Sequence, residues 1–331
     1  MPTLIRGPLQ IDSAWLCEAL ERERLELLSS EEIGTGQMSQ NHRLTFRADG
    51  GQEETVVVKL ASEDPMSRAT GVGMGAYMRE VAFYRNLAGR IGGPLATCHL
   101  AEYDQGEGWF TIVLEDVRDA VQGDQIAGCG VAEARVAMGA LARLHAPVMG
   151  DLAVGASGFL NLPNPLDQSL VSQLLPGFLE RYRERIEPAH AAVCERFVQS
   201  IDGWASERRP PLGLVHGDYR LDNLLLGPGG RCVAVDWQTV SWGPAMVDAS
   251  YFLGGCLHVE DRRASEQELL RHYHDTLLEL GVRELPWELC FEEYRRLCFH
   301  GLLMTIAASM VVERTPRGDD MFMAWLARNA Q

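Results

Sequence analysis

"LVHGDYRLDNLLLGPGGRCVAVDWQ", residues 214–238, decides the reading of this chain. It sets a His, several charged residues and an Asn directly before an apolar run, and the second apolar arm ends on another carboxylate. Residues 223–226, a Gly-Pro-Gly-Gly turn and residues 231–236 read as a hairpin of two short strands. The ends of a hairpin lie side by side, so Asn223 and Asp236 can converge. Asp218 sits in the loop leading in. A carboxylate, a carboxamide and a second carboxylate aimed at one point form an all-oxygen donor set. Such donors suit Mg²⁺, which takes few protein ligands and keeps waters and phosphates for the rest. The remaining carboxylate can face a substrate hydroxyl. Turn residues bonding their own backbone would account for each position singly, but not for the three together.

Composition sets outer bounds. The chain has 331 residues, 46% hydrophobic and 23% charged, with a formal net charge of -16. Such a length suits two lobes or domains. The acidic balance argues against binding to a phosphate backbone, which needs Lys and Arg to displace counterions. The start, "MPTLIRGPLQIDSAWL", does not read as a secretory signal. "GLLMTIAASMVV", residues 301–312, is too short to span a bilayer and reads as a buried helix. The expectation is a cytoplasmic protein without nucleic-acid or membrane partners; oligomeric state is not legible. The 8 cysteines form no Cys-x-x-Cys pair and read as small core residues in a reducing compartment. Cys98 with His99, and His272 with His274, could ligate metal, but neither has a second pair nearby.

Residues 11–28 carry apolar side chains at helical spacing behind a cap at Asp12 or Ser13, which predicts an amphipathic helix. Residues 31–60 read as strand, Gly turn, strand, turn, strand. Residues 62–77 read as a Gly-rich loop, and residues 78–91 as a helix with Glu80 near its start. Residues 99–117 read as a second hairpin. From residue 132 onward long helices dominate, interrupted by the opening stretch. The fold class expected is α+β: residues 1–117 as a small antiparallel-sheet lobe with an N-terminal helix, residues 118–331 as a larger helical lobe, with a hinge near residues 115–120.

Asp218-x4-Asn223 followed by Asp236 resembles the catalytic loop and metal-binding Asp of protein kinases. Here, however, the lead is His-Gly-Asp, and Trp237-Gln238 follows the second Asp. In those details the chain resembles the aminoglycoside phosphotransferase and choline kinase-like family of small-molecule kinases. It is most similar to the bacterial phosphotransferase branch, with an Asp-Trp-Gln variant similar to ecdysteroid kinase-like proteins. The resemblance implies a bilobal protein-kinase-like fold, with ATP or GTP and Mg²⁺ as cofactors. The amino-terminal elements fall in the order such a lobe needs. Gly34 and Gly36 would let backbone approach phosphate, with Ser39 offering a hydroxyl. Lys59 stands alone in the apolar strand "VVVKL", where it would be costly without an anionic partner. Glu80 is the natural partner, and the pair would hold the ammonium against nucleotide phosphates. "VLEDV" would end the lobe as a hinge, where backbone at Glu115 to Val117 could meet an adenine edge.

By the same resemblance Asp218 would accept or orient the proton of the acceptor hydroxyl, while Asn223 and Asp236 would hold Mg²⁺. Asp248 resembles the family Asp that fastens the catalytic loop. His216 would order the loop and His145 would pack. Arg220 and Asp222 read as solvated loop residues. The function implied is ATP- and Mg²⁺-dependent phosphoryl transfer to a hydroxyl of a small molecule. An aminoglycoside or other antibiotic kinase, and a non-catalytic nucleotide-binding protein, are the alternatives. Asp-Phe-Gly and Ala-Pro-Glu are both missing, which argues against a protein acceptor. Candidate acids for a cationic acceptor are Glu260, Asp261, Asp319 and Asp320, with solvated faces as their ordinary reading. Trp242, Tyr251, Phe252 and Phe322 supply as much apolar and aromatic surface in that region.

Overall fold

The computed structural model describes residues 4–34, 38–48, 51–163 and 166–331. The chain forms two compact units, residues 1–119 with 236–239, and residues 120–235 with 240–331.

In the first unit Asp12 caps α1 (Ser13–Ala19) by accepting from the Trp15 amide at 2.7 Å. The helix expected over residues 11–28 stops at Ala19. Glu21 has φ 54°, a left-handed conformation that no α-helix continues. Leu25 and Leu27 instead belong to β1 (Leu25–Ile33), paired with Ala48 and Phe46. β2 (Ser39–Ala48), β3 (Glu53–Ala61), α2 (Pro65–Gly73), α3 (Ala76–Phe83), α4 (Gly89–Ile91), β4 (Cys98–Tyr103) and β5 (Phe110–Glu115) follow. Residues 62–77 are therefore largely helical rather than a loop. Asp64 accepts from the Ser67 amide at 2.7 Å and Pro65 opens the helix, two start signals that outweigh its glycines. The strands pair antiparallel in the order β1-β2-β3-β5-β4. β3 is central. Its Val56, Val58 and Leu60 are buried in a core with Trp15, Leu16, Leu44 and Phe46. The two-residue alternation of a strand puts Lys59 on the other face.

The second unit contains β6 (Val121–Gln122), α5 (Val131–His145), α6 (Leu152–Gly155), α7 (Gln168–Arg181), α8 (Pro188–Val198), α9 (Ile201–Ser206), β7 (Gly213–Val215), β8 (Leu224–Gly227), β9 (Arg231–Ala234), β10 (Ser241–Gly243), α10 (Met246–Cys256), α11 (Val259–Glu279), α12 (Trp287–Leu297), α13 (His300–Val311) and α14 (Pro316–Asn329). β8 and β9 form the hairpin legible in the opening stretch, with Leu224 opposite Ala234. Every residue of α10 is buried. It packs beside α14, where a Cβ on Gly255 would lie 2.4 Å from Trp325 Nε1; only glycine allows that approach. Tyr251, Phe178, Leu302, Ile306 and Phe322 share one core.

The architecture is thus α+β, with the antiparallel sheet in one unit and most helices in the other. Among the described residues no helix is long and apolar enough to cross a membrane. All 8 cysteines are free. Burial pushes the thiols of Cys194, Cys256 and Cys290 up to about 12, which keeps them protonated core groups.

Candidate active site

In the first unit the candidate residues gather around one ammonium. Lys59 Nζ donates to Glu80 Oε1 at 2.9 Å, to Glu80 Oε2 at 2.7 Å and to Asp236 Oδ1 at 2.8 Å. The Lys59 side chain is only 8% exposed. Burial alone would lower its pKa, but the carboxylates of Asp236 and Glu80 reverse that and hold it above its ordinary value. Burial pushes the Glu80 carboxyl upward against the opposing pull of Lys59. Lys59 sets the charge state here, because two carboxylates act on one ammonium at contact distance.

Asp236 adopts φ 67°, uncommon for a residue with a side chain. The next residues anchor it. Trp237 stacks on Phe83 of α3 with ring centroids 3.9 Å apart and planes 7° apart. Gln238 Nε2 donates to Asp236 Oδ2 at 3.3 Å. The large aromatic after the Asp therefore holds this turn against the helix that carries Glu80.

Of the expected phosphate turn, Gly34 has φ 74°, which glycine adopts freely. Ser39 opens β2 opposite Ala61 and is buried. Gly36 lies outside the described residues. At the expected hinge, the Glu115 amide donates to the Thr97 carbonyl at 2.8 Å, so it is already committed. Val117 is buried just beyond β5.

The second unit builds the loop between β7 and β8. Gly217 takes φ 82°, letting the chain turn sharply after β7. Asp248 of α10 accepts from the amides of His216 at 2.6 Å and Gly217 at 2.9 Å. It also contacts His145 Nε2 at 3.2 Å, and His145 Nδ1 lies 2.8 Å from the Tyr273 hydroxyl. Burial alone would raise the Asp248 pKa, but these donors keep it below the ordinary carboxylate value. His216 Nδ1 accepts from the Asp218 amide at 3.3 Å and its Nε2 meets the Val235 carbonyl at 3.1 Å. The Nε2–H tautomer satisfies both contacts and ties the loop to the second hairpin arm.

The Asp218 carboxylate is closely held. Oδ1 accepts from Arg220 Nε at 3.0 Å and from the Tyr251 hydroxyl at 3.0 Å. Oδ2 accepts from Arg220 Nε at 3.1 Å and from Asn223 Nδ2 at 2.8 Å. Asn223 Nδ2 also donates to the Asp218 carbonyl at 2.9 Å. Both its neighbours are acceptors, which sets the amide's orientation and turns its carbonyl oxygen away from Asp218. The Val235 amide donates to the Asn223 carbonyl at 3.0 Å, and Asp236 is the next residue along the chain.

Arg220 and Asp222 are not solvated. Asp222, with a side chain 9% exposed, accepts from Arg220 Nη1 at 2.6 Å, Arg317 Nη2 at 3.1 Å and the Gln125 amide at 3.0 Å. Burial alone would raise its pKa, but the Arg220 and Arg317 guanidiniums hold it below the ordinary value. The guanidinium of Arg220 lies 5.3 Å from the Trp325 ring. Tyr251, Gln125 and Arg317 are the contacts that sequence reasoning missed as parts of this loop's support. Only Tyr251 had a readable signal: it follows Asp248 by one helical turn in "DASY".

The candidate acids divide. Asp319 accepts from the Tyr182 hydroxyl at 2.7 Å and Arg314 Nε at 2.8 Å, and Asp320 accepts from Arg185 at 2.9 Å. Glu260 and Asp261 are exposed in the first turn of α11. Among the described residues no group of three or more His, Cys, Asp or Glu is placed to hold a metal ion, Cys98, His99, His272 and His274 included.

The chain belongs to the phosphotransferase enzyme family (APH), whose model matches residues 38–285. It is thereby an enzyme of the small-molecule kinase class. No curated protein sequence matches it significantly. Solved structures with the same fold include a candidate aminoglycoside phosphotransferase from Ralstonia eutropha JMP134, 18% identical, TM-score 0.52, covering 95% of each chain. A macrolide 2'-phosphotransferase from Brachybacterium faecium is 15% identical with TM-score 0.53, covering 95% of this chain and 97% of that one. A choline kinase from Streptococcus pneumoniae is 15% identical with TM-score 0.50, covering 92% and 94%. At these identities the likeness establishes a shared protein-kinase-like fold.

Proposed function

We propose that the chain transfers a phosphoryl group from Mg²⁺-bound ATP to a hydroxyl of a small molecule. The observation that carries this reading is the Lys59 ammonium, buried and shared between Glu80 and Asp236 at 2.7 to 2.9 Å. A cation kept charged and aimed by carboxylates suits nucleotide phosphates, and Asp236 places a metal-ligating oxygen beside it. Asn223 would offer its side-chain oxygen to a metal, because its amide hydrogens are committed to Asp218. Mg²⁺, when bound by Asn223 and Asp236, would neutralise phosphate charge. Asp218 receives and orients the acceptor hydroxyl; its proton passes to that carboxylate as the acceptor oxygen bonds the γ-phosphorus and the bond from that phosphorus to the bridging oxygen breaks, releasing ADP. Gly34 and Ser39 would lie toward the phosphates, and backbone near Val117, rather than the Glu115 amide, would meet the base. Positioning and electrostatics supply most of the catalysis.

The non-catalytic alternative is disfavoured by the presence of Lys59, Asp218 and Asp236 together. Asp319 and Asp320 already pair with Arg314 and Arg185, so these two acids do not by themselves argue for a polycationic acceptor. Calorimetric titration with Mg·ATP tests the nucleotide half: Asp236→Asn and Lys59→Met lose binding, and Asp218→Asn keeps it. A screen of sugars, amino alcohols, hydroxy acids and aminoglycosides, read by mass gain of one phosphoryl group, tests the acceptor half. Wild-type protein that binds Mg·ATP no better than the Asp236→Asn variant refutes the reading.

A further inference from the structure

α10 meets the loop carrying Asp218 through two residues one helical turn apart. Asp248 takes the loop's backbone through the amides of His216 and Gly217. Tyr251, three residues on and on the same helix face, reaches the side chain itself, its hydroxyl 3.0 Å from Asp218 Oδ1. Tyr251 is fully buried. Its ring lies against His300 and Trp325, with centroids 5.0 and 5.1 Å away, and this packing restricts the phenol. Burial, then the adjacent Asp218 carboxylate, keeps the phenol protonated and hence a donor. The other side-chain donors on Asp218, Arg220 and Asn223, belong to the same loop. Tyr251 ties the carboxylate to a helix outside that loop.

We infer that Tyr251 is a positioning residue for phosphoryl transfer: its hydroxyl fixes the orientation in which the Asp218 carboxylate meets the acceptor. This rests on the reading of Asp218 as the acceptor-side carboxylate. Tyr251 itself touches no reacting atom. A ring kept only for packing would be replaced by phenylalanine without consequence, so the hydroxyl is the part to remove.

The experiment compares wild type, Tyr251→Phe and Asp218→Asn. Slow hydrolysis of Mg·ATP, with water as the acceptor, is followed by ADP release, and nucleotide affinity by calorimetry. Crystal structures of wild type and Tyr251→Phe give the Asp218 rotamer directly, whatever the hydrolysis rate. The expected result is a roughly tenfold lower kcat for Tyr251→Phe, the scale of one hydrogen bond to a charged group, with nucleotide affinity and melting temperature near wild type. The Asp218 carboxylate is expected to leave its wild-type orientation. Unchanged kcat and an unchanged Asp218 rotamer in Tyr251→Phe, with Asp218→Asn inactive, overturn the inference alone. An active Asp218→Asn variant overturns the reading of Asp218 as well.

Discussion

Removing the Lys59 ammonium should destabilise the first unit far more than removing one of its carboxylate partners. Lys59→Met leaves Glu80, 1% exposed, and Asp236 as neighbouring carboxylates with the charge between them gone. An uncompensated buried charge costs about 3–5 kcal/mol, a large part of the roughly 5–15 kcal/mol that stabilises a typical domain. Glu80→Gln leaves Lys59 bonded to Asp236 at 2.8 Å and still offers it an oxygen. Its cost should be about 1–2 kcal/mol, the net worth of weakening a charge-assisted hydrogen bond. Combining Lys59→Met with Glu80→Leu should recover part of the loss, because the stranded charge is removed with its partner. Urea unfolding followed by tryptophan fluorescence measures this, with Trp237 stacked on Phe83 as a reporter in the same unit. The reasoning fails if Lys59→Met costs less than about 1 kcal/mol, or no more than Glu80→Gln.

Asp222→Asn should cost more stability than Arg317→Ala, because the buried Asp222 joins three donors while the Arg317 side chain is 52% exposed; paired urea melts give the order. Asp248→Asn should cost about 3 kcal/mol and most of the turnover, since one carboxamide oxygen replaces a carboxylate that holds two loop amides; unfolding and ADP-release assays read both effects. Burial keeps His300 below its ordinary pKa of about 6.5, so its contribution is fully present above that pH and is lost as pH falls through the lower folded value. The stability difference between wild type and His300→Gln should therefore shrink between about pH 7 and pH 5 in calorimetric scans, and a difference that grows would contradict it.

The strands around Lys59 and the β8–β9 hairpin were legible because each is a local pattern: alternating apolar residues and a glycine-rich turn. The helix boundaries near residues 20 and 65 were not. At Glu21 a left-handed residue ended an apolar spacing that suited helix or strand equally, and pairing with β2 chose the strand. At Pro65 the glycines masked a helix whose start is set by Asp64. In the candidate site, Asp218, Asn223 and Asp236 announced themselves by spacing. Arg220 and Asp222 did not, because partners far along the chain, Gln125 and Arg317, decide their burial.

By itself the sequence indicated the α+β class, most of the order of the elements, and the candidate oxygen and ammonium groups, because those depend on short-range periodicity and spacing. Tertiary structure alone decided which groups restrain them. Asp236 is anchored by Trp237 on Phe83, Asp218 by Tyr251, and Asp319 by Tyr182 and Arg314. Charges and hydrogen-bond donors act over a few ångströms of space whatever their separation in sequence, so only the packed chain selects which of them meet.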